Sequence, residues 1–210
     1  DDHVVAMPAE TIIEVVNIND PAALRAVVEE AGVSEASKAD RIASATRRAI
    51  TEKMEEDPAF YRQFSEMLQQ TIREYRERRL SEREYLNSVS DLASKVARKD
   101  RGRDVPDSIR GDDDAQALFG LLEGRLARQE GDALAPDEGA SIALDVTKII
   151  RSHLIVGIWS NEVAQNNLRN AIDDYFFDVL RDTMQIELPM EQLDDLEQRI
   201  MDLARARFAA

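Results

Sequence analysis

The sequence predicts an all-α protein, an irregular multi-helix bundle of about seven to eight helices in which two longer helices run antiparallel. Three observations carry this. Only 8 Gly and 6 Pro interrupt 210 residues, and so few breakers favour long helices over short strands. Ala, Leu, Glu, Arg and Gln are plentiful, and these residues lose little rotamer freedom in a helix. Apolar residues recur at intervals of three and four, which places them on one helical face.

The elements follow in order. Residues 1–18 alternate loosely through Thr11, Ile12, Ile13, Val15 and Val16 and read as a strand or an extended arm. Asn19-Asp20-Pro21 is a helix start with Pro at its first position, and Gly32 ends that helix. Ser34 opens a second helix running towards Glu56. Asp57-Pro58 stops it and caps a third, whose stripe is Phe60, Phe64, Met67, Leu68, Thr71 and Tyr75. Leu80-Ser81 is a break. Ser81 with Glu84 matches a capping box, in which each side chain satisfies the other's free backbone N–H. The next helix buries Tyr85, Val89, Leu92 and Val96, so two long helices meet across a tight turn.

Arg98 to Asp114 reads as a charged loop. Asp112 to Asp114 put negative charge at the positive end of a helix running to about Gln129. Gly131 to Gly139 reads as a second loop, followed by a helix from about Ser141 with Ile142, Val146, Ile149 and Ile150 on one face. Ser160 or Asn161 caps a helix with the stripe Ala164, Leu168, Ile172, Tyr175, Phe176 and Val179. Pro189 separates it from a last helix bearing Leu193, Leu196, Ile200 and Leu203. Residues 1–33 are assigned to a linker or arm with a short helix, and 34–210 to one helical domain.

The hydrophobic share of 43% allows a real core. The chain has no Cys, which excludes disulfides and thiolate metal sites. Its longest apolar run, Leu154 to Trp159, is far short of the ~20 residues that span a bilayer. The start, Asp-Asp-His, is unlike a signal peptide, so a cytoplasmic location is expected. It also lacks an initiator Met, which is expected of a segment from a longer chain. The net charge of -15 repels phosphates. The charge is uneven: residues 71–110 hold 11 Lys+Arg against 8 Asp+Glu, while the remainder holds 16 against 34. The plainer reading of the basic stretch is a solvated, mixed-charge helix face, and the sharper one is a local patch for a phosphate or an acidic partner.

No constellation for catalysis emerges. A Ser-His-Asp site needs His3 or His153, the only two histidines, and no Gly-x-Ser-x-Gly elbow accompanies either. Two histidines that are not four apart cannot form a metalloprotease pair. The carboxylate clusters, Asp112 to Asp114 and Asp194-Asp195, fall at helix starts or on exposed faces, and no calcium loop or phosphate-cradling glycine loop is present. The chain is therefore expected to be no enzyme and to hold no metal, cofactor or small-molecule ligand. The residues left as candidates for docking a partner are Arg76 and Arg79, which share one face and so form a small docking patch, the sole Trp, Trp159, and Arg169. For Trp159 the plainer reading is a core anchor at a corner between helices.

Four tracts, in order, resemble a known family. Residues 142–159 (Ile-Ala-Leu-Asp-Val-Thr-Lys-Ile-Ile-Arg-Ser-His-Leu-Ile-Val-Gly-Ile-Trp) are similar to the segment before the final helices in the restriction (motor-nuclease, R) subunits of type I restriction-modification enzymes, followed by the step Leu168-Arg169. Residues 39–50 resemble the start of that C-terminal helical region, residues 57–68 its Asp-Pro-aromatic helix, and residues 74–86 its helix pair. The family's usual Arg-Ala-Lys-Leu-Arg step reads Asn166-Asn167-Leu168-Arg169 here, and acidic Asp173, Asp174 and Asp178 replace the basic residues usual after it. The resemblance implies a C-terminal assembly domain that docks an ATP-dependent DNA-translocating and cleaving motor onto the modification and specificity subunits. ATP and Mg belong to the rest of the parent subunit, an ATP-dependent type I site-specific deoxyribonuclease, and DNA is met only through the full complex. The alternative from the charge alone is a free-standing acidic regulator that imitates DNA to block a DNA-binding enzyme.

Overall fold

A computed structural model describes residues 16–101, 105–126, 134–186 and 188–209. Among the described residues there are eight α-helices and no strand: α1 (Pro21–Glu29), α2 (Glu35–Glu52), α3 (Pro58–Arg76), α4 (Glu82–Arg98), α5 (Asp113–Leu122), α6 (Pro136–His153), α7 (Glu162–Tyr175) and α8 (Met190–Arg207). The expected strand or arm lies almost wholly outside the described residues.

Most helices begin where their caps say. Asp20 accepts from the Ala22 N–H at 2.8 Å, with Pro21 at the first helical position. Ser34 caps α2, and Asp57 caps α3 by accepting from the Phe60 N–H. At α4 the capping box is complete: the Ser81 N–H donates to Glu84 at 2.8 Å and the Glu84 N–H to Ser81 Oγ at 3.3 Å. Asn161 caps α7. Each of these satisfies a backbone donor that the helix itself cannot pair.

Helix α2 ends at Glu52 and α3 at Arg76, both short of expectation, and three further features differ. Helix α5 stops at Leu122, not near Gln129: Glu123 leaves the helical conformation, and Gly124 then takes a left-handed φ of 71° that a residue with a Cβ resists. Helix α6 starts at Pro136 instead of about Ser141, so part of the expected loop is helix. Pro136 is pre-set for a first turn, and the Glu138 carboxylate accepts from the Ala135 N–H at 3.0 Å. The third is a π-helical stretch from Phe176 to Arg181 at the end of α7. Buried Ala164, Leu168, Ile172, Phe176 and Leu180 are spaced by four throughout. In an α-helix each four-residue step drifts about 40° around the axis. The wider π turn takes up that drift and returns Phe176 and Leu180 to the core.

The helices close two large cores, beside a small cluster of Ile109, Ala115 and Ala140. The first gathers Ile18 and Leu24 and Val27 of α1 with α2, α3 and α4. Helices α3 and α4 are the expected antiparallel pair, yet α4 lies more extensively against α2 than against α3. Tyr85 of α4 joins all three: its hydroxyl donates to Asp40 of α2 at 3.0 Å and its ring stacks on Tyr75 of α3 at 4.3 Å. The second core joins α5 to α8 around Ile142, Val146, Leu168, Ile172 and Ile200. The halves meet where α3 crosses α5. A Cβ on Gly120 would lie 2.8 Å from the Ala59 Cβ, so only glycine permits this approach.

Candidate docking surface

The four residues singled out from sequence do not converge. Arg76 and Arg79 belong to the first half. Helix α3 ends at Arg76, and Arg78 turns left-handed at φ 59°, so the two arginines share no helical face. Arg79 instead pairs with Glu77 at 2.8 Å. Trp159 and Arg169 belong to the second half. Trp159 is half-buried in a 3-10 turn (Ile158–Ser160), its indole N–H donates to the Phe208 carbonyl at 2.7 Å, and the Arg205 guanidinium lies over its ring. Arg169 reaches across from α7 to α8, pairing with Glu197 and donating to Gln198 at 3.2 Å. Both therefore act as ties between helices. The connection from α6 leaves Ile155 and Val156 exposed, and the first turn of α7 leaves Val163 exposed.

His153 ends α6, half-buried, with its Nδ1 2.9 Å from the Ile149 carbonyl oxygen. Among the described residues, no group of three or more His, Cys, Asp or Glu side chains is placed to hold a metal. No helix among them is long and apolar enough to cross a membrane.

A polar seam between the halves went unseen in the sequence. Asp57 is 4% exposed and Arg101 pairs with it across 44 residues, lying also over the Phe60 ring at 5.3 Å. Burial, then the charge of Arg207, pushes the Arg101 guanidinium down to about 10. The Asp57 carboxylate offsets this desolvation. Next to it, Arg207 at the end of α8 donates to Asp114 at 2.7 Å and to the Glu56 carbonyl at 2.9 Å. Arg151 of α6 completes the chain, donating to Asp112 at 2.9 and 2.8 Å and to Asp114 at 2.6 Å. The turn between α2 and α3 is thereby tied to α5, α6 and α8.

Asp112 also caps α5, accepting from the Asp114 and Ala115 N–H groups at 3.1 Å. The Arg151 hydrogen bonds, then those caps, hold its carboxyl below the ordinary 3.8. A depressed carboxylate pKa stabilises the fold above the unfolded value and loses that effect as pH falls through the folded one. Asp112→Asn keeps a cap acceptor but loses the charge pair. Because Arg151 is largely exposed, the expected cost at neutral pH is about 1 kcal/mol or less. Thermal melts are expected to show a constant gap between the variant and the parent from pH 7 to about pH 5, closing below about pH 4.

No family model matches the chain, and neither the curated proteins nor the solved structures yield a match to it.

Proposed function

We propose that this chain is the C-terminal helical domain of the R subunit of a type I restriction enzyme, and that it docks the motor onto the modification and specificity subunits in the cytoplasm. The observation that carries this is where the four resembling tracts fall. Residues 39–50 form the buried middle of α2, and residues 57–68 are the cap and first half of α3. Residues 74–86 are the α3–α4 turn with its capping box, and residues 142–159 run through α6 to the Trp159 turn. In that order they contribute α2, α3 and the start of α4 to the first core and α6 to the second, so the resemblance is carried by parts of the fold's framework. Its groups are spent on tying helices together, which suits a joint between machines. ATP hydrolysis and DNA cleavage belong to the rest of the parent subunit.

The acidic-inhibitor reading fits less well. Imitating DNA takes rows of free carboxylates, whereas Asp112, Asp114, Asp195 and Glu197 are each paired with an arginine. The test of the proposal is co-purification of the tagged chain with the cognate modification–specificity core. Retention of the core is the expected result, and its passage through the column unbound would overturn the reading.

A further inference from the structure

The two halves leave a cleft of about 390 Å³ between the start of α3, the end of α5 and the second half of α8. In a chain of net charge -15 its wall is basic: Arg62, Arg125, Arg199 and Arg205 stand against the carboxylates Glu55 and Asp202. The floor is apolar, made by Ala59, Leu121 and Leu203 with Gly120. The close approach at Gly120 and Ala59 sets its depth, since any side chain on Gly120 would force α3 and α5 apart.

The arginines differ in how far the chain already uses them. Arg199 pairs with Asp195 at 2.6 Å, Arg205 donates to Gln165 at 3.2 Å and covers Trp159, and Arg125 donates to the Leu121 carbonyl at 2.6 Å. Arg62 has no ion pair among the described residues. A guanidinium carries five donors in a planar fork matched to carboxylates, so each of these retains donors for an incoming anion. The size falls in the usual range for a bound group, roughly 300–1,000 Å³. The pairing of apolar floor and cationic rim selects a ligand that is apolar at its tip and acidic at its flanks. A long polyanion such as duplex DNA meets the repulsion of the whole chain, whereas a short acidic segment meets only the local field.

We propose that this cleft is the docking site for an acidic peptide segment of a partner protein, one apolar side chain seating on the floor of Ala59, Leu121 and Leu203 while flanking carboxylates engage Arg62 and Arg125. This rests on the assembly reading above and names the chemistry of the partner. The probe is a fluorescein-labelled peptide with one leucine flanked by glutamates and aspartates, titrated by polarisation against the full chain and against the Arg62→Glu/Arg125→Glu double variant. Both residues are exposed, so the variant is expected to retain its far-ultraviolet helical signal. The expected result is saturable binding to the parent chain, a loss of roughly tenfold or more in the double variant, and no binding of a peptide with glutamines and asparagines in place of the acids. Equal binding to both proteins, or none to either, overturns the proposal, as does displacement of the peptide by duplex DNA at lower concentration than by unlabelled peptide. Binding of the modification–specificity core separates the two readings. Core binding that survives the double substitution overturns the cleft as the docking site and leaves the assembly reading standing. A parent chain that never binds the core overturns the assembly reading, and the peptide then decides the cleft by itself.

Discussion

Asp57→Ala is expected to lower the unfolding free energy by about 3–5 kcal/mol, because it leaves the Arg101 cation buried without its partner. The side chain of Arg101 is only 14% exposed and that of Asp57 only 5%, so water cannot replace the lost carboxylate. The cap on α3 disappears in the same substitution, a loss of about 1 kcal/mol when taken alone. The sign is set by the orphaned charge and not by the strength of the pair. Removing the cation as well is therefore expected to restore part of the stability: the Asp57→Ala/Arg101→Met double variant should be more stable than Asp57→Ala alone. Urea midpoints of the parent, both single variants and the double variant measure this directly. A change under about 1 kcal/mol for Asp57→Ala would mean that the pair is solvated.

Leu168→Ala has a comparable effect by a different route. Leu168 is fully buried at the centre of α7, and truncating such a side chain costs about 2–5 kcal/mol through lost transfer energy and the cavity left behind. Trp159 makes the consequence readable, because the only Trp of the chain packs on the same core. If the seam couples the halves, Trp fluorescence and far-ultraviolet circular dichroism shift together to a lower midpoint, as a single cooperative transition requires. If fluorescence moves to lower urea while half of the helical signal stays at the parent midpoint, the halves unfold independently.

The caps were legible in sequence because each is local. Asp20, Ser34, Asp57, Ser81 and Asn161 accept from donors two or three residues away, so short windows contain the whole interaction. The apolar stripes were legible for the same reason. The π stretch carried a signal in the unbroken four-residue spacing from Ala164 to Leu180, which a straight α-helix cannot keep on one face. What stayed hidden is non-local. The partner of Asp57 lies 44 residues away and that of Arg207 lies 93 away, and nothing near either residue points to the other. Read locally, Arg101 was one charge in a charged loop. The shared face of Arg76 and Arg79 failed because it assumed that α3 continues past Arg76, whereas the chain turns left-handed two residues on. The arginine cleft draws on α3, α5 and α8, a convergence that no single helix pattern contains.

The assembly reading is tested most directly by sedimentation velocity of the full chain mixed with the purified cognate modification–specificity core, with and without the DNA duplex that core recognises. The expected result is a faster-sedimenting complex at micromolar concentration that forms in both cases, with the core still holding its DNA. Independent sedimentation of the two components would contradict docking, and release of the duplex by this chain alone would mark it instead as an acidic competitor of DNA.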